Sequence, residues 1–229
     1  MIDTIFAILL IIHVTGGTIG LLTGSINLIR RKGDKLHKTV GKIFTYSMLI
    51  TGFCSLALSV IHPGFFLFIV GTFTIYLVGT GSRYIYLKLL GENQKPTLID
   101  WILTIAMLMT GSVFLILGLK QIYQAHYFGI VLVVFGIFSL RLVQWDFINY
   151  SGKAKAKNYW LLAHLQRMTG GYIAAFTAFL VVNSNNLPIA LPAFVIWLAP
   201  TAVLTPLIVM WSRKYEVKKK EKTVISNNS

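Results

Sequence analysis

The chain has 229 residues, 55% of them hydrophobic and only 12% charged, with a formal net charge of +14 and a mean hydropathy of +0.71. That composition excludes a water-soluble domain, because the solvent for most of such a chain must be lipid. A single cysteine, Cys54, excludes an intramolecular disulfide.

A membrane span needs about 20 apolar residues, and seven segments meet that need: Ile2 to Ile29, Ile43 to Ile61, Phe65 to Leu87, Leu98 to Leu119, Tyr127 to Val143, Tyr159 to Val182 and Leu187 to Trp211. The first has no basic leader and is too long for a signal peptide, so it is a retained helix. The predicted fold is all-α, a polytopic bundle of seven transmembrane helices over residues 1–213. Residues 214–229 form a basic, disordered tail.

Of the 21 Lys and Arg residues, all but Lys120 fall in or beside alternate breaks between spans and in the tail. The breaks after spans 2 and 6 carry none. The positive-inside rule then places the N-terminus outside and the C-terminus in the cytoplasm, which also accounts for the net charge without nucleic acid. Lys218, Lys219, Lys220 and Lys222 are expected against anionic lipid headgroups.

Several polar residues at the span ends have ordinary structural readings. Asp34 and Asn158 are placed to cap helices 2 and 6, and Thr97 with Asp100 has the spacing of a capping box. Tyr84, Tyr86, Trp101, Trp145, Tyr150, Tyr159, Trp160 and Trp211 lie near span ends, where aromatic rings favour the headgroup layer.

Helix 1 carries Gly16, Gly20 and Gly24 at four-residue intervals with Gly17 close by, and His13 on the same face. Small residues let helices approach closely in lipid, so this face is expected to pack inward or to join a second copy. Gly111 with Gly118, and Gly129 with Gly136, give helices 4 and 5 the same device.

Ionisable groups inside a span are costly and point to function by default. His37, Arg83, Arg141, His164 and Arg167 all fall in the cytoplasmic third, with Asp146 as the only acid expected nearby. The positive excess suits an anionic group, while snorkelling to headgroups is the plain alternative for Arg83 and Arg141. His13 is expected to line a deeper pocket.

The stretch from His13 through Lys42, with its glycine run and Lys32-Gly33-Asp34-Lys35-Leu36-His37-Lys38-Thr39-Val40-Gly41-Lys42, resembles a family of bacterial predicted multi-pass membrane proteins, domain of unknown function 2306. His164-Leu165-Gln166-Arg167-Met168 is similar to that family's later His and Arg motif, although the family's neighbouring tryptophan is absent. The resemblance implies a bacterial inner-membrane location and a common site of His37, His164 and Arg167, with no assigned activity.

Three readings stay open. The first is binding, with or without transport, of an anionic small ligand or lipid headgroup at His37, Arg83, Arg141, His164, Arg167 and His13. The second is a b-type haem held by His37 and His164. The third is a non-catalytic assembly role. A three-one-three arrangement of helices and a seventh span bent or broken by Pro188, Pro192, Pro200 and Pro206 would suit transport. No phosphate loop, paired-histidine zinc motif or serine elbow is present, and the absence of lysine from span 7 argues against a retinal Schiff base. Nothing in the sequence points to an enzyme.

Overall fold

The computed structural model describes residues 2–186 and 191–218. Seven helices account for almost all of it: α1 (Ile2–Ile29), α2 (Lys35–Ile61), α3 (Phe65–Tyr84), α4 (Leu98–Tyr123), α5 (Phe128–Tyr150), α6 (Tyr159–Val182) and α7 (Ala193–Tyr215). All seven are long and apolar enough to cross a membrane. Pro188, Lys219, Lys220, Lys222 and most of the expected tail lie outside the described residues.

Polar and basic residues lengthen some helices beyond their apolar spans. Helix α2 begins at Lys35, eight residues before the apolar run, because Asp34 caps it by accepting from the His37 amide at 2.6 Å. Helix α5 likewise continues past Val143 to Tyr150, and α7 runs to Tyr215. The last extension corrects one expectation: α7 does contain a lysine, Lys214, exposed in the final turn beside the Tyr215 ring and away from the bundle interior.

The Thr97 and Asp100 capping box forms as expected at the start of α4. Asn158 departs from expectation. It occupies the N-cap position of α6 without capping it. Its side chain instead donates to Tyr215 O and accepts from the Val217 amide, tying the end of α7 to the loop before α6.

Helices α3 and α6 form the centre, with α2 and α4 beside α3, α7 beside α6, and α1 laid across α2 and α6. Helices α4 and α5 form a tight hairpin, in which α5 meets α6 chiefly through long side chains. This corrects the expected three-one-three arrangement. Helix α1 packs closely along α2, whereas its counterpart α5 packs along α4.

Pro192 precedes α7, and the helix continues through Pro200 and Pro206. It is therefore unbroken across both prolines. Each removes one backbone donor, which a membrane helix tolerates where neighbouring structure compensates.

The glycine face of α1 is covered within the chain. A Cβ on Gly16 would lie 2.6 Å from Thr51 Oγ1, and one on Gly24 would lie 2.5 Å from the Tyr172 ring. This face is consequently occupied by α2 and α6, so the suggestion that it joins a second copy is corrected. The opposite face, with Ile5, Ile8, Ile12, Ile19, Leu22 and Ile26, is exposed.

Both ends of the bundle keep the charge asymmetry of the sequence. The connections 30–34, 85–97 and 151–158 and the end of α7 share one basic end; residues 62–64 and 124–127 and the stretch 183–192 contain no Lys or Arg. At the basic end Gly91 (φ 82°) and Gly152 (φ 72°) meet backbone to backbone. Only glycine accommodates both the left-handed conformation and that approach.

Outside the spans, the Asp34 carboxyl titrates below its usual range, chiefly because it accepts from the His37 amide. A depressed folded value means that this contribution is complete above the unfolded value of about 4 and is lost as pH falls through the folded one. Protection of the His37 amide from hydrogen exchange should therefore decline on acidification below about pH 4. Asp34→Asn, which caps without titrating, should abolish that pH dependence. An identical decline in Asp34→Asn would show that the carboxylate is not responsible.

Candidate functional site

The polar centre of the bundle is a buried ion pair that joins four helices. Arg167 on α6, 2% exposed, donates from Nη2 to Asp146 Oδ1 on α5 at 2.6 Å, and Asp146 is fully buried. The carboxylate also accepts from Tyr76 OH at 2.6 Å and Tyr84 OH at 2.5 Å, both on α3, and from Thr104 Oγ1 on α4 at 3.2 Å.

Arg167 makes two further bonds, from Nη1 to Thr80 Oγ1 at 3.0 Å and from Nη2 to Leu142 O at 3.1 Å. Its guanidinium lies 4.8 Å from the Tyr76 ring centroid and 5.4 Å from that of Tyr84. Burying both charges costs several kcal/mol each, and only close pairing with satisfied hydrogen-bonding groups offsets that cost. Here the carboxylate has four donors. The pair therefore sets how α3, α4, α5 and α6 meet.

The other expected site residues separate into distinct groups. Arg83 forms a two-pronged ion pair with Asp100, Nε to Oδ1 at 2.7 Å and Nη2 to Oδ2 at 3.0 Å, and donates to Thr97 Oγ1. Asp146 is thus not the only acid among the basic residues, because Asp100 serves both the capping box and Arg83. Arg141 is exposed, bonded to Gln144 and stacked over the Trp145 ring at 5.1 Å. It remains apart from the others.

His13 sits between α1 and α2, with Nδ1 3.2 Å from both Thr51 O and Ser55 Oγ. It faces α2, well removed in sequence and depth from the basic end.

The remaining two, His37 and His164, both belong to the basic end, where α1, α2 and α6 converge. His164 Nδ1 is 2.8 Å from Gly81 O on α3. That contact fixes the ring and leaves Nε2 without a hydrogen-bond partner among the described residues.

Asn27 on α1 donates to His37 O at 3.3 Å. Two buried atoms here have no partner among the described residues: His37 Nδ1 and Asn27 Oδ1. Buried polar atoms are nearly always paired, so two orphans on facing residues stand out in this bundle.

Lys32 closes α1 nearby. Its ammonium donates to Asn27 O and Leu28 O, each at 2.7 Å, and to Arg30 O at 3.2 Å, and lies 4.4 Å from the Trp211 ring centroid. With its donors engaged it serves as a C-terminal cap, favourable to the helix dipole. Burial lowers the pKa of its ammonium.

Tyr84, Tyr150 and Tyr159 correct a further expectation, since the protein itself covers each ring and none faces outward. All three are buried. Tyr84 serves Asp146, Tyr150 OH lies 3.2 Å from Thr104 Oγ1, and Tyr159 donates to Leu87 O while accepting from the Leu90 amide. Tyr76, Thr80 and Thr104 are partners of the ion pair that sequence reasoning missed. The available signal was Arg167 inside span 6 and Asp146 just beyond the end of span 5.

These helices bring the comparison with known proteins to bear on α1, α2, α3 and the start of α4. Residues 10–106 match DUF2306, a family of predicted membrane proteins. The match holds less than half of the chain. It includes His13, Asn27, His37, Arg83 and Asp100, whereas His164 and Arg167 lie beyond it. The DUF2306 stretch therefore supplies one side of the histidine pair, and α6 supplies the other. No curated protein and no solved structure matches the chain.

Proposed function

We propose that the protein is a membrane-embedded binding protein, oriented with its N-terminus outside and its basic end in the cytoplasm, that holds an anionic small ligand or lipid headgroup between α1, α2 and α6. The observation that carries this reading is the pair of orphaned buried atoms, His37 Nδ1 and Asn27 Oδ1, on facing residues at the end of the bundle that also holds His164.

Their chemistry narrows the ligand class. Asn27 Oδ1 accepts only, so the ligand must offer a hydroxyl or N–H; the His37 tautomer with its proton on Nδ1 donates, so the ligand must also accept. A hydroxyl-bearing phosphate or carboxylate satisfies both. Arg167 and Arg83, paired to Asp146 and Asp100, position α6 and α3 rather than grip the ligand. His13 secures α1 on α2. Transport would require the notch to open toward both sides and is a further step within this reading.

The arrangement is tested by comparing the small molecules released from the purified wild type with those from His37→Ala by mass spectrometry. The expected result is one anionic, hydroxyl-bearing species retained at roughly stoichiometric level by the wild type and lost from the variant. Identical extracts from the two would contradict the reading. Orientation is tested separately: a reporter active only outside the cytoplasm should be silent when fused after Ser229, and active at Met1.

A second reading has one specific observation behind it. The His164 Nδ1 contact to a backbone carbonyl is the arrangement that commonly orients an imidazole whose other nitrogen ligates a metal, and His37 lies at the same end of the bundle. Under this reading the two imidazoles would flank a haem iron. An absorption spectrum of protein expressed with ample haem decides it. A Soret band lost in His164→Ala supports haem, and a colourless protein removes it.

A further inference from the structure

A groove of about 790 Å³ runs between α5 and α7, apart from the histidine pair. Its walls are Val134 and Phe138 on α5 and residues such as Leu198, Ala202, Pro206 and Val209 on α7, and it ends at Arg213. The groove arises because α7 packs mainly on α6 and touches α5 sparsely. The register of the two helices is set at the other end, where Trp197 packs edge-on against Phe128 and Phe135.

Charge closes the groove at one end only. Arg213 is exposed and has no hydrogen bond or ion pair among the described residues, unlike Arg83 and Arg167. Arg141 follows Phe138 by three residues and Val134 by seven, which places it on the same face of α5. Counted from Trp197 and its partners at 1.5 Å per residue, Arg141 lies roughly 10 Å deeper than Arg213. Its guanidinium rests on the indole of Trp145, one turn closer to the basic end.

We propose that this groove binds an anionic phospholipid of the bilayer, one acyl chain along the apolar walls, its phosphate at Arg213 and its glycerol ester carbonyls at Arg141. Three features argue for a lipid. The walls are largely apolar, with Thr201 and Thr205 among them, an uncommitted cation stands at the end of the groove, and a second cation stands deeper on the same face of α5. A guanidinium has five donors and suits both phosphate and carbonyl oxygens. An apolar partner helix would leave Arg213 unmatched, whereas an anionic headgroup neutralises it.

The two arginines have separable roles, and this makes the proposal testable independently of the histidine notch. Native mass spectrometry of the purified full chain, with phosphatidylglycerol and phosphatidylcholine of equal acyl length, reads the preference directly. Wild type should retain phosphatidylglycerol over phosphatidylcholine. Arg213→Gln should reduce that preference roughly fivefold to tenfold, the worth of about one interfacial cation. Arg141→Gln should weaken both lipids equally, since both carry ester carbonyls, and Ala202→Trp should displace both by filling the groove.

The response of the preference to His37→Ala separates the two sites. Loss of the preference in His37→Ala with retention in Arg213→Gln would assign the lipid to the notch and overturn the groove site. Equal retention of the two lipids by the wild type would overturn it as well.

Discussion

Asp146→Ala should cost the folded protein about 3–5 kcal/mol, the loss expected when one partner of a buried ion pair is removed. The variant leaves Arg167 buried, beneath two tyrosine rings and without its carboxylate. It also leaves the Tyr76 and Tyr84 hydroxyls without an acceptor. The charged side chain has no path to a headgroup from this depth without disrupting α6. Denaturant unfolding in detergent micelles should show the loss, and expression should fall with it.

The double variant Asp146→Leu with Arg167→Met should be more stable than Asp146→Ala, because it removes both charges and refills the volume. Apolar replacement of a buried pair is often neutral. Tyr84→Phe alone should cost less, about 1–3 kcal/mol, since it leaves one carboxylate bond unmade. If the double variant proves as unstable as the single one, the pair contributes something other than mutual neutralisation.

The second large effect is expected where α4 and α5 meet. A Cβ on Gly129 would lie 2.6 Å from the Gly118 carbonyl oxygen, and one on Gly136 would lie 2.8 Å from the Leu115 backbone nitrogen. Backbone atoms cannot rotate away, so the whole hairpin must open. Gly129→Val should destabilise by about 1–3 kcal/mol or more, and Gly118→Val similarly.

Gly64→Ala is the control, because its nearest neighbour would be the His62 carbonyl oxygen at 3.7 Å, an ordinary contact. Thermal unfolding of the three variants in one detergent provides the comparison. Equal midpoints would show that the glycines of the hairpin are not tightly packed. Loss confined to Gly129→Val and Gly118→Val is the expected result.

The elements of this fold are legible in the sequence to the extent that they answer to local physics. Apolar length marks all seven helices, and α1 and α6 keep their expected bounds. The Asp34 cap and the Thr97 and Asp100 box depend on residues three apart and were predictable for that reason. The starts of α2 and the ends of α5 and α7 were not, because hydropathy measures lipid contact and these turns extend beyond it.

The buried site was less legible. Tyr76 and Asp146 are 70 residues apart and Tyr84 and Asp146 are 62 apart; only packing brings them together. Tyr84 and Tyr150 lie near span ends, which suggests headgroups, yet the connections 85–97 and 151–158 fold over them. Asp100 was legible as a capping residue, but a carboxylate has enough lone pairs to cap and to bind Arg83 as well. The histidine pair was visible only as two imidazoles at similar depth. The orphaned Asn27 Oδ1 that completes the notch carried no sequence signal.

The most direct test of ligand binding at that notch is a titration of thermal unfolding with sn-glycerol 1-phosphate, a soluble probe with both a phosphate and hydroxyls and no acyl chain to enter the α5–α7 groove. Binding only to the folded state stabilises it by about 2.7 kcal/mol at a hundredfold excess over Kd. The account predicts a rising midpoint for the wild type and none for Asn27→Leu combined with His37→Phe, while Arg213→Gln behaves as wild type. A midpoint that does not move for the wild type, or one that moves equally in the notch variant, would contradict it.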